Sequence, residues 1–439
     1  MNTNIGSGAW NRIILLVIAG LILQFPSANS QSSYKSANYG LPVFSGVTGF
    51  GLETKGGDGG KIIKVTNLNK DGAGSFAEAL ETEGPRIIVF EVAGVIDLEK
   101  KSLRIMNPYV TVAGQTAPLP GITLIKGGIS IQTHDVIIQH LKVRPGEAGQ
   151  QKKSGWEVDG IATSGAYNVI VDHCSITWST DENLSASGQR FEGANPEEWR
   201  KNTSHKIVFS NCIVAEGLSK STHGKGEHSK GSLIHDNVCD VLIIGNLYAN
   251  NTQRNPLFKG GAKGIVVNNY IFNPGNAVIH FGLVPSEWEG HEWLKGEMVV
   301  ESNYIVYGPD TRATTSAGSF RGPLDLYWEN NKIVSKNKVG ETSGDFTRLA
   351  KAPFWPQGLK ALPVDEVRDH VLTNAGAFPW NRDAIDDRII SDVRAGKGKI
   401  IDSESEVGGY PVIKPVYKKF VQKKWNLNTL TKKSDINKK

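Results

Sequence analysis

VIIQHLKV (136–143), VIVDHCSI (169–176), IVFSNCIV (207–214) and LIIGNLYA (242–249) are four copies of one eight-residue phrase. IVVNNYIF (265–272), VVESNYIV (299–306) and YWENNKIV (327–334) are three more. The fifth residue of each copy is His140, His173, Asn211, Asn246, Asn269, Asn303 or Asn331, at spacings of 33, 38, 35, 23, 34 and 28. A repeat of about 20 to 50 residues marks a solenoid, in which each unit buries its apolar face only against its neighbours. Each phrase is rich in β-branched residues and reads as strand, polar turn residue, strand. No helical stretch separates the copies, which argues against βαβ units and for coils stacked in parallel. A polar side chain recurring at one coil position can bond the backbone of the next coil and form a ladder. The expected fold is all-β: a right-handed parallel β-helix with a cap helix at its N-terminal end and a C-terminal tail packed along it.

The first thirty residues read as a leader. Arg12 precedes an apolar run from Ile13 to Leu23, and small residues at Ala28 and Ser30 fit a secretory signal peptide cut after Ser30. The run is too short to span a bilayer. The expected protein is therefore secreted, periplasmic or extracellular, with no membrane span in the mature chain. Removing residues 1–30 takes away one Arg and no acid, leaving 48 basic against 44 acidic side chains. That balance is too mild and too evenly spread for a nucleic-acid partner, but it permits a local basic groove for an anionic polymer. Three cysteines make no disulfide framework and no zinc motif. Cys174 and Cys212 follow the ladder residue in consecutive copies and are expected as buried thiols.

The solenoid is expected over 31–334 and the tail over 335–439. Within the first part, NLNKDGAGSFAEALE (67–81) predicts a turn into a short amphipathic helix that closes the open end. IIVFEVAGVIDL (87–98), YVTVAGQT (109–116) and ITLIKGGISIQ (122–132) supply early coils without the polar fifth residue. Polar stretches at 185–205 and 216–232 are too long for minimal turns, and long loops on a rigid scaffold are where function concentrates. DEVRDHVLTNAG (365–376) and RDAIDDRIISDVRAG (382–396) predict helices in the tail. The lysine-rich last dozen residues are expected to be disordered.

Asp181 lies eight residues after His173, and Arg254 lies eight after Asn246. Equal offsets put them on one face two coils apart, with backbones separated by about 10 Å. Taken alone, the pair reads more readily as an exposed ion pair or solvated charges than as a grip on a charged chain. The surrounding residues add more. VIVDHCSI resembles the strand ending in Ile-Asp-His-Cys of polysaccharide lyase family 1, the pectate lyases. HSKGSLI (228–234) is similar to that family's Asp-Lys-x-Ser-Leu-Ile segment, and QRNPLFKGG (253–261) resembles its Arg-x-Pro-x-x-Arg motif. The resemblance runs in order from about residue 41 to 310, and the tail phrase RDAIDDRIISDV resembles bacterial relatives.

The resemblance implies a calcium-assisted β-elimination on polygalacturonate, an acidic polysaccharide, by a monomeric secreted enzyme. It assigns Arg254 as catalytic base, with Lys230 binding the substrate carboxylate and Lys259 standing where the family has a second arginine. Lysine keeps that charge but loses the two-pronged fork. Asp159 and Asp181 match calcium ligands, while the third acidic position falls on Ser185 and Glu182 offers an alternative oxygen. His228 and His235, with His223, are expected to line the groove near Lys230. Asp172 and His173 resemble an acid–base pair, but the ladder position favours a structural hydrogen-bonding role. Trp156, Trp178 and Trp199 suit either sugar stacking or packing. A lyase on another uronate polymer or on methylated pectin, and a β-helical carbohydrate-binding protein without catalysis, are the competing readings.

Overall fold

The computed structural model describes residues 46–433. The chain winds through three sheets of eleven, nine and ten strands, and successive coils pair in parallel throughout the winding. One coil runs through Tyr167–Asp172, Ser175–Thr177 and Glu182–Ser187, and the next through His205–Ser210, Ile213–Ala215 and Lys230–Ile234. The fold is the expected right-handed parallel β-helix. Side chains at one coil position stack in rows: Val136, Val169, Ile207 and Val241 are in register and fully buried inside the winding. The alternate residues Ile170, Val208 and Leu242 point outward, yet they too are buried, beneath Val47, Leu52 and Leu359 from outside the coils. Burial on both faces explains why the phrases read as continuous apolar runs rather than alternating ones.

The polar turn of each phrase joins the eleven-stranded sheet to the ten-stranded one. Asn246, Asn269, Asn303 and Asn331 form the ladder. Each side-chain oxygen accepts from the backbone N–H of the preceding coil at 2.8–3.0 Å: Cys212 to Asn246, Asn246 to Asn269, Asn269 to Asn303, and Asn303 to Asn331. His140, His173 and Asn211 differ because they take the left-handed backbone conformation themselves. In the ladder copies the preceding residue takes it: Gly245, Asn268, Ser302 or Asn330. The imidazoles of His140 and His173 instead stack on each other, with ring centres 5.2 Å apart. Replacing Asn269 with alanine strands the buried N–H of Asn246. It also removes the amide donor shared by the carbonyls of Ile243 and Val267 and the amide oxygen of Asn303, which still accepts from the backbone of residue 269. We expect a loss of about 3 kcal/mol, read from the denaturant midpoint at unchanged slope.

The cap appears as α1 (Phe76–Glu81), with Ser75 accepting from the backbone of Glu78 and Phe76, Ala79 and Leu80 closing the core. A second short helix, α2 (Pro196–Asn202), lies in the loop after Glu182–Ser187. The winding runs beyond residue 334, through Thr342–Gly344 and Thr347–Arg348. The two expected tail helices are α3 (Val364–Asn374) and α4 (Ala384–Arg394), packed on Ile213, Leu247 and Tyr270. Charges lock α4 in place. Arg144, fully buried, bonds Asp383 and Asp386, and Arg388 bonds both oxygens of Glu216 at 2.7 Å. Where disorder is expected at the end of the tail, Trp425–Asn426 pairs with Thr431–Lys432, and Leu430 packs on Ile87 and Val89. Residues 434–439 and the leader lie outside the described residues. Cys174 and Cys212 are buried free thiols, and no described helix is long and apolar enough to cross a membrane.

Candidate active site

The nine-stranded sheet carries nearly every chemically competent side chain singled out in the sequence. Its strands run in parallel, with long connections at both ends. Residues just before the strands therefore lie along one edge of the sheet and residues just after them along the other, the two walls of the candidate groove. Asp159 precedes Ile161–Ser164, Asp181 and Glu182 stand at the start of Glu182–Ser187, Lys230 begins Lys230–Ile234, and Arg254 precedes Leu257–Lys259. Glu182 is in register with Lys230, which bridges to Gln253 beside Arg254. The equal offsets of Asp181 and Arg254 thus place them on one face, two coils apart.

Asp159, Asp181 and Glu182 form one cluster, with a ligand oxygen from each within 4.8 Å of the others. Asp159 accepts from the hydroxyl of Ser185 at 2.6 Å and from the backbone N–H of Glu182 at 3.0 Å. Ser185, at the expected third acidic position, therefore supports Asp159 rather than adding a carboxylate. Burial, and then the charge of Asp181, push the Asp159 carboxyl up to about 7. Burial acts on Asp181 in the same direction, but the hydrogen bond and charge of His228 outweigh it and hold this carboxyl below its ordinary value.

His228 bonds Asp181 at 2.7 Å and stacks on His223, with ring centres 3.6 Å apart. The Nδ1 of His223 accepts from the backbone N–H of Lys225, so its Nε2 carries the proton and faces Asp181 at 3.7 Å. The two imidazoles serve to hold that carboxylate. Lys230 is 4% exposed and has no hydrogen-bond or ion-pair partner among the described residues. Burial pulls its ammonium down to about 8. Arg254 pairs with Glu182, and burial lowers its pKa.

The opposite wall was not legible in the sequence. Lys259 pairs with Asp236 and Glu287, and Arg190, from the loop before α2, pairs with the same two acids. His235 lies beside this network and not beside His228. The sequence suggests a strip of free positive charge from Lys230 through Arg254 to Lys259. In the structure only Lys230 is uncompensated, because the other two have carboxylate partners. No spacing signal announces Arg190, Asp236 or Glu287, which sit in loops of unequal length. Asp172 is buried on the other side of the coil, bonded by Gln139, His173, Ser210 and Asn211, as a structural role requires. Trp178 and Trp199 are packing residues at 0% and 8% exposure.

No family model matches the chain. Against proteins of known description, it is 31% identical over 387 residues to a probable pectate lyase C of Emericella nidulans, covering 84% of this chain and 80% of that one. The relatives matched over most of the chain are fungal, so the expectation of a bacterial type finds no support. Among solved structures, the major allergen of cedar pollen superposes with a TM-score of 0.52 at 16% identity, over 75% of this chain and 92% of that one. A pectate lyase bound to a hexasaccharide superposes with a TM-score of 0.51 at 14% identity, over 76% and 97%. These two share the fold.

Proposed function

The chain belongs to the pectate lyase family, and from that premise we propose that it is an exported, monomeric lyase cleaving polygalacturonate by calcium-assisted β-elimination. The observation that carries this reading is the meeting, on one sheet, of a three-carboxylate cluster, an unpaired lysine and a buried arginine. The reaction removes the C5 proton of a uronate and expels the C4 glycosidic oxygen, leaving an unsaturated oligogalacturonide. That proton is too weakly acidic to leave unless charge on the neighbouring carboxylate is stabilised.

The carboxylate cluster fits a hard cation. Its oxygens converge, and burial together with the charge of Asp181 raises the carboxyl of Asp159, a cost that a bound cation would offset. Asp159, Asp181 and Glu182 would hold calcium, which supplies positive charge beside the uronate carboxylate when bound. Lys230 binds that carboxylate through its free ammonium. His228 fixes the Asp181 side chain from behind. Arg254 takes the C5 proton. Guanidinium is ordinarily protonated at all working pH, and burial lowers its pKa here, the direction a base requires. Lys259 and His235 border the next unit of the substrate.

A purely carbohydrate-binding β-helix would show none of this chemistry. We expect polygalacturonate with calcium to yield a product with the ultraviolet absorbance of a conjugated double bond. Fully methylated pectin should react far more slowly, because Lys230 and the cation both need a free carboxylate on the reacting unit. Faster, calcium-independent cleavage of the fully methylated polymer would overturn the pectate reading, and no product from any uronate polymer would leave a binding protein.

A further inference from the structure

Lys259 follows the inward-facing Phe258, so it points out of the nine-stranded sheet on the side of the groove away from the carboxylate cluster. Its ammonium lies 3.1 Å from Asp236 and also bonds Glu287. Arg190 reaches the same pair, at 3.0 Å from Asp236 and 3.1 Å from Glu287. Asp236 is fully buried, and its other oxygen accepts from the indole of Trp288 at 2.7 Å. Two cations and two carboxylates close on themselves, so this wall carries no net charge. Burial drives the neighbouring imidazole of His235 down to about 4, which keeps it neutral at ordinary pH. The groove floor stays open there. Gly282 is in register with Lys259, and a side chain built on it would meet nothing within 4 Å.

We infer that the subsite bordered by Lys259 accepts an uncharged sugar unit, a methyl-esterified uronate or a neutral residue, next to the free uronate that reacts. The inference rests on reading the groove as that of a uronate-polymer lyase. A carboxylate entering this subsite must displace Glu287 from its cations, exchanging one set of ion pairs for another while losing its own hydration. An ester or hydroxyl face leaves the network intact. Glu287, 37% exposed on its loop, is then the residue that sets the preference. The substrate class is a partly esterified polymer in which free and neutral units adjoin.

Two measurements test this. The first is calorimetric binding, in chelator, of fully de-esterified and partly methylated oligogalacturonides of equal length. The second is kcat/KM, with calcium, on polygalacturonate and on partly methylated pectin. We expect the wild type to prefer the partly methylated ligand in both. Glu287→Gln frees one positive charge and should move the ratio about ten-fold toward the de-esterified ligand. A wild type that prefers the fully charged oligomer, or a ratio unmoved in Glu287→Gln, overturns the proposal. Binding in chelator needs no turnover, so the two readings fail separately. The expected binding preference without product formation would retain the subsite and sink the lyase. Product formation with an unmoved ratio would do the reverse, and a protein that binds neither oligomer overturns both.

Discussion

Arg254→Lys is expected to lower kcat by about a thousand-fold while changing KM much less. Arginine and lysine carry the same charge, so the substitution keeps the ion pair with Glu182 and avoids leaving that buried carboxylate alone. What it removes is the fork, of which one nitrogen pairs with Glu182. The position also constrains the backbone: Arg254 sits at φ +63°, a left-handed conformation that holds the side chain over the groove independently of its head group. Arg254→Ala should abolish turnover as well, and it should also destabilise the fold, because Glu182 then stands unpaired beside Asp159 and Asp181. The lysine variant therefore separates chemistry from folding. Initial rates and thermal midpoints of both variants decide the matter, and activity within about ten-fold of wild type in the lysine variant would remove Arg254 from the role of base.

The winding was legible because each coil must present the same residue classes at the same place. Val136, Val169, Ile207 and Val241 repeat since each packs on the last, and that constraint writes itself into the sequence as a period. The ladder was legible for the same reason, though only in part. Asn246 to Asn331 hold it, whereas His140, His173 and Asn211 carry the left-handed turn themselves, a one-residue difference that leaves the phrase unchanged. The end of the solenoid was misjudged because its last strands, Thr342–Gly344 and Thr347–Arg348, are short and polar. At the site, only Asp181 and Arg254 share an offset from the turn residue, whereas Asp159, Glu182 and Lys230 are singled out by the resemblance to the pectate lyases. Their charge state was not legible. Whether Lys259 offers a free cation depends on Asp236 and Glu287, 23 and 28 residues away in opposite directions along the chain. Loop length varies freely between coils, so such pairs leave no periodic trace.

Chelation is expected to stop turnover, and calcium rather than zinc to restore it. The cluster of Asp159, Asp181 and Glu182 offers only hard oxygen ligands. Zinc would favour the neighbouring group of Asp181, His223 and His228, so recovery with zinc would place the working cation there instead. The same cluster predicts a pH dependence of stability that needs no substrate. Asp159 keeps its proton up to about pH 7 in the folded protein, against an ordinary carboxyl value of 3.8. Between those values Asp159 binds more proton in the folded state than in the unfolded chain, so its own contribution to stability falls as pH rises from about 4 to 7 in chelator. The buried neutral imidazoles of His140, His235 and His280 contribute the opposite slope. Above that range the cluster is fully ionised and its mutual repulsion is greatest, which is where a cation has most to offset. The rise in thermal midpoint on adding calcium should therefore be large above about pH 8 and small below about pH 5, where calcium must displace the proton from Asp159. Asp159→Asn removes that charge, so in chelator the stability of the wild type relative to the variant should fall from about pH 4 to 7, and in the variant the pH dependence of the calcium effect should flatten. Full rates in excess chelator would end the calcium role and leave Lys230 as the sole uncompensated cation beside the reacting carboxylate. A calcium-induced midpoint shift identical at both pH extremes would instead show that the cation binds away from Asp159.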